Sequence, residues 1–139
     1  MTIHGSGAFS FTGWEEATYS EASEGSKLAS AKVTNDFHGA IEGSGTLTYI
    51  LVYLPDGKAV FTGYEQIVGS VGGRRGSFVL FHEGRVENAT SPTDFVVTTN
   101  MTVVPGSGSG ALAHLTGNGS FIGRHEDTET RYSFDYEIG

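Results

Sequence analysis

Ala59-Val-Phe-Thr-Gly-Tyr-Glu-Gln-Ile-Val-Gly69 alternates its side chains with the two-residue period of a β-strand. Phe61, Gly63, Glu65, Ile67 and Gly69 share one face, and Val60, Thr62, Tyr64, Gln66 and Val68 share the other. Turning Phe61 and Ile67 to water would forfeit ~1.5–3 kcal/mol of burial for each. The Phe61 face is therefore expected inside, and it carries Glu65 with it. An inward carboxylate must be paired, hydrogen-bonded or neutral.

The same alternation runs outward from this stretch in both directions, with no helical period. Upstream, strands are expected over Phe9–Tyr19, Leu28–Asp36 and Ile41–Leu54, with Glu21–Lys27 as a polar turn. Pro55-Asp56-Gly57 closes a hairpin into Ala59–Val71, because Pro presets φ and Gly accepts a positive one. Downstream, Gly72–Gly76 reads as a turn, Ser77–His82 as a strand, and Glu83-Gly84 as another turn. Asp94–Val104, Ala111–Leu115, Ser120–Arg124 and Arg131–Ile138 follow as strands. Eight or nine short strands with no room for crossover helices predict antiparallel neighbours. Glycines inside good strands (Gly13, Gly43, Gly45, Gly63, Gly69) are bending points, which favours a closed barrel over a sandwich.

The 139 residues predict one domain, spanning 1–139, that buries about 68–70% of its unfolded surface. The 21 glycines come without disordered, low-complexity composition. A net charge of −8 repels phosphate backbones and argues against nucleic-acid partners. The chain has no cysteine, so disulfides and thiolate metal sites are excluded. With no signal-peptide pattern and no apolar run near the ~18 residues of a membrane span, a cytoplasmic protein without membrane contact is expected. On that reading the Asn88-Ala-Thr90 sequon is coincidental.

Several longer patterns are shared with a known group of sequences. They are Trp14-x-Glu16, Gly39-x-Ile-Glu42-Gly, Tyr49-x-x-x-Tyr53-x-Pro-Asp-Gly57, Glu65-x-x-x-Gly69, Gly72-Gly-Arg-x-Gly-Ser-Phe78 and Val103-Val-Pro-Gly-Ser-Gly-x-Gly-x-Leu112. Together they resemble a bacterial family of unknown function grouped with the allene oxide cyclase barrels. The resemblance implies an eight-stranded antiparallel β-barrel, lipocalin-like in shape, with an internal cavity. It also implies kinship with cyclases that fold a reactive substrate inside a greasy lumen, and a homo-oligomer. The plant cyclase pattern, a first-strand glutamate with asparagine two residues later plus a cysteine, is not matched. Here Glu15 and Glu16 are followed by Ala17 and Thr18.

Glu65 is the first candidate for chemistry, either as a general acid or base at a cavity wall or as half of a structural ion pair with Arg74 or Arg75. Glu42 either caps a local turn or meets Glu65 as a proton-sharing carboxylate pair. Glu16 shares parity with Trp14, as a ligand-facing couple or a barrel plug. Tyr49 and Tyr53 either line a cavity with phenols or pack in the core. The candidate catalytic set is thus Glu65, Glu42 and Glu16, and the candidate ligand-binding set is Trp14, Tyr49, Tyr53, Phe61 and Arg74. His4, His38, His82, His114 and His125 form no close ligand pair, so no metal is expected. Gly106-Ser-Gly-Ser-Gly110 lacks the Lys-Ser/Thr of a phosphate loop.

Three functions remain open. The first is a cofactor-independent cyclase or isomerase of a small hydrophobic substrate, polyketide-like or an oxidised lipid. The second is a carrier of a small apolar molecule, and the third is a side-chain-filled barrel working through its surface.

Overall fold

A computed structural model describes residues 1–139. Eight strands follow one another: β1 (Ile3–Glu21), β2 (Lys27–Gly39), β3 (Ile41–Tyr53), β4 (Ala59–Val71), β5 (Arg74–Glu87), β6 (Val96–Val103), β7 (Thr116–Arg124) and β8 (Thr130–Glu137). Each pairs antiparallel with its neighbour in sequence, and β1 pairs with β8, so the sheet closes into a barrel. There is no α-helix, only a 3₁₀ turn at Gly110–Leu112.

The Gly72–Gly76 turn is shorter than expected, because Arg74–Gly76 already pair with Gly69–Val71, and β7 starts at Thr116, four residues before Ser120. Three further differences shape the interior. β5 runs straight through Glu83-Gly84. Gly84 sits opposite Phe61, and an added Cβ would lie 2.6 Å from Phe61 Cζ. This glycine admits a ring rather than making a turn. Ala111–Leu115 is no strand; it is the 3₁₀ turn and the chain beyond it, and it seals one end of the barrel with Leu112 and Leu115. β1 begins at Ile3, six residues before Phe9, because those residues zip against β8.

The parity of Ala59–Gly69 is as expected. Phe61, Glu65 and Ile67 point inward and are buried, while Val60, Tyr64 and Val68 are exposed. The interior divides into two ends. The end holding the β2–β3 and β4–β5 turns is packed solid by Phe9, Phe37, Phe78, Phe134, Tyr136 and their neighbours. Tyr132 pins this end, accepting the Ile41 N–H (2.9 Å) and donating to the His38 carbonyl (3.0 Å). Burial pushes its phenol up to about 12. The opposite end is lined by a smaller group that includes Ala29, Ala31, Leu51 and Phe61, where two alanines leave space.

Candidate functional site

The open end has walls of unequal height. β1 pairs with β8 only from Ile3 to Phe9, but with β2 all the way to Glu21. β1 to β5 therefore rise as a tall wall, while β6 starts only at Val96, β7 stops at Arg124 and β8 starts at Thr130. Over this low wall the lumen opens as a cavity of about 240 Å³. Phe9, Phe11, Trp14, Tyr49, Leu51, Phe61, Val86, Phe95, Val97 and Phe121 supply its apolar surface. Gly123 and the β7–β8 turn, Arg124–Thr130, form the lip.

Beneath the cavity lies a buried polar cluster. Glu65 is 0% exposed and His82 2% exposed, with Nε2 of His82 2.9 Å from Oε1 of Glu65. Asn35 Nδ2 donates to Glu65 Oε2 at 2.7 Å. Three strands supply these groups, and β3 lies between β2 and β4. Glu65 reaches Asn35 across β3 because Gly45 stands there; a Cβ at Gly45 would collide with the Glu65 carboxylate. His82 lies two residues beyond Leu80, the direct cross-strand partner of Glu65. Whichever side holds it, one proton lies between Nε2 and Oε1, which leaves His82 Nδ1 for a second partner. Within the chain, Nδ1 of His82, Oδ1 of Asn35 and Oγ1 of Thr99 are all buried without one.

Tyr49 and Phe121 stand between this cluster and the cavity. The His82 ring meets Tyr49 edge-on at 5.8 Å and Phe121 at 6.3 Å, and both line the cavity. The Tyr49 hydroxyl makes no hydrogen bond within the chain; its ring packs against Phe61 and Trp14. Burial, and secondarily the charge of Glu65, raise the Tyr49 phenol above its ordinary value, so it stays protonated as a donor.

The candidates from the sequence are thus distributed over several places. Tyr49, Phe61 and Trp14 line the cavity. Glu16 is exposed at the rim, where it accepts from Tyr53 Oη (2.6 Å) and Trp14 Nε1 (3.3 Å). Burial and the Glu16 hydrogen bond raise the Tyr53 phenol. Glu42 does not meet Glu65. It is outside, at the packed end, accepting the Gly39 N–H at 2.6 Å, a bond that lowers its pKa. Arg74 and Arg75 are exposed at the start of β5, next to the β4–β5 turn, and pair with no carboxylate of the interior. The partners of Glu65 are instead Asn35 and His82. Their parity was readable: Asn35 falls between Val33 and Phe37, and His82 follows Phe78 and Leu80.

An up-and-down β-barrel with an apolar, side-opening cavity above a buried carboxylate–imidazole pair is the class of protein these features define. The chain belongs to the family described as protein of unknown function (DUF3224), whose model matches residues 5–136. It is similar to the crystal structure of a protein of unknown function of that family from Shewanella oneidensis MR-1. The two are 24% identical with a TM-score of 0.76, and the match covers 100% of this chain and 99% of the other. That likeness establishes the shared fold. No curated protein matches the chain. No helix is long and apolar enough to cross a membrane.

Proposed function

We propose that this barrel binds a small, largely apolar molecule in its open end, with the Tyr49 hydroxyl donating to a polar oxygen of the guest. The observation that carries this reading is the cavity itself, about 240 Å³, aromatic-walled and open at one side, with a protonated phenol that has no partner in the chain. A site of this kind, apolar with one or two placed polar groups, suits a ligand whose orientation a single hydrogen bond sets. The cytoplasmic expectation goes with this proposal on the strength of the cysteine-free composition.

The test uses N-phenyl-1-naphthylamine, an apolar fluorophore, and the variant Gly123→Phe. Gly123 lines the cavity, and an added Cβ would meet nothing closer than 3.7 Å, so a ring there fills the cavity without backbone collision. Wild type should bind with enhanced fluorescence and saturate, and Gly123→Phe should not. Equal binding by both proteins would end the reading.

A cofactor-independent isomerase or cyclase is the second reading, favoured by the unpartnered Nδ1 of His82, whose ring packs against the cavity-lining Tyr49 and Phe121. Glu65, sealed from the cavity, would then act through His82, holding the imidazole while Nδ1 takes or returns a proton beside a guest carbonyl. Movement of the Phe121 or Tyr49 ring would be needed for contact. Exchange of α-protons of 2-decanone in D₂O, followed by NMR, separates the two readings. Acceleration that His82→Leu abolishes supports catalysis; no acceleration leaves a carrier.

A further inference from the structure

The outer face of β4 has no cover within the chain. Antiparallel sheets with one solvated face normally turn polar residues outward. β4 instead presents Val60, Thr62, Tyr64, Gln66 and Val68, with Val60 44%, Tyr64 60% and Val68 59% exposed. Both of its faces are therefore apolar, the pattern of a strand buried on two sides. Ile50 on β3 and Phe81 on β5 extend the patch sideways; Phe81 lies directly across from Tyr64, ring centroids 5.1 Å apart. No Asp, Glu, Lys or Arg projects outward from Ser44–Val52, Val60–Val68 or Ser77–Phe81. In a chain of net charge −8 this is a neutral window, bordered at one corner by Glu83 and Arg85, which are exposed on β5 opposite Thr62 and Val60.

We infer that this face is the interface between two copies of the chain. Two features single out a second copy as the occupant. The outward residues of β4 read nearly alike in both directions, Val-Thr-Tyr-Gln-Val, centred on Tyr64. A two-fold axis crossing β4 there sets the Val60 end of one copy against the Val68 end of the other, the self-complementarity a two-fold interface demands. The neutral window lets two acidic chains approach without juxtaposing carboxylates. The area also fits. Three strands ~4.8 Å apart, over eight steps of ~3.4 Å, give a patch of roughly 400 Å². That is about half of the ~800 Å² each partner contributes to a standard interface, so the dimer is a weak one that forms at micromolar concentrations and above. The surrounding threonines and Asn100 supply a polar rim of the kind such interfaces carry.

The cavity opens over β6–β8, on the other side of the barrel, so this inference stands apart from the ligand reading. Sedimentation equilibrium on the full chain, from low micromolar to about 100 µM, reads it directly. Wild type should be a dimer, and Tyr64→Glu should raise the dimer Kd by at least about 100-fold while leaving the circular dichroism unchanged. Val68→Lys gives the same readout should Tyr64→Glu fold poorly. Because the chain has no cysteine, Tyr64→Cys places a single thiol on the axis. Mild oxidation should link it into dimers, while Ser133→Cys, on β8 across the barrel, should not link. A wild type monomeric at 100 µM, or a dimer indifferent to Tyr64→Glu and Val68→Lys, overturns the inference.

Discussion

Replacing Glu65 by Met keeps length and removes the carboxylate at the centre of the buried cluster. Two buried nitrogens then lose their partner, Asn35 Nδ2 and His82 Nε2. Each orphaned buried group costs about 1–3 kcal/mol. Offsetting this, the thioether removes a polar group whose burial was itself unfavourable. A net loss of about 3 kcal/mol is expected, which for a chain of this size lowers Tm by about 10 °C. Urea unfolding followed by the fluorescence of Trp14 measures it as a lower midpoint at unchanged m-value. The same reasoning sets the sign for the full apolar replacement, Asn35→Leu with Glu65→Met and His82→Phe. With Asn35, Glu65 and His82 all replaced, the substitution strands no new donor (Thr99 Oγ1 lacks a partner already), so the triple variant should recover most of the loss despite carrying more changes. A triple variant that falls below the single one, or a Glu65→Met loss under about 1 kcal/mol, would refute the claim that the Glu65 carboxylate is the buried partner that Asn35 Nδ2 and His82 Nε2 depend on.

Gly45→Ala should destabilise by about 1–3 kcal/mol, seen in the same urea titration, because the methyl occupies the path of the Glu65 side chain to Asn35. Alkaline stability should fall as pH rises through 10. The Tyr49 phenol is raised above 10.0 in the folded state, so the unfolded chain releases its proton first and gains relative stability. Tyr49→Phe, which costs no hydrogen bond within the chain, should flatten the decline of Tm above pH 10. Glu42 has the opposite sign. Its carboxylate is depressed below 4.5 by the Gly39 N–H, so its contribution is present above 4.5 and fades as pH falls below it. Glu42→Gln should therefore flatten the acid limb of the stability profile while leaving probe binding in the cavity unchanged.

Glu65 shows how far a local pattern reaches. Its inward direction follows from Phe61 and Ile67 two and four residues away, and the structure agrees. Its partners do not follow, because Asn35 is 30 residues earlier and His82 17 later. Arg74, nearer in sequence to Glu65 than His82 is, lies at the first position of β5 and in solvent. The glycines show the same limit. Gly84 beside a glutamate reads as a turn, yet it is a strand residue hollowed for the Phe61 ring. Nothing local distinguishes a glycine that bends the chain from one that yields to a side chain arriving from another strand.

The alternation of side chains determined the strands, their inner and outer faces and, with the in-strand glycines, a closed antiparallel barrel. Those properties belong to the backbone period of two and to the sterics of a few neighbouring residues. Only the tertiary structure decided which end is packed and which is open, and which groups meet the buried carboxylate. These depend on where each strand starts and stops against its neighbours, and thus on the register and closure of the whole cylinder. Register is a sum over pairings tens of residues apart, so no single stretch of the chain contains it.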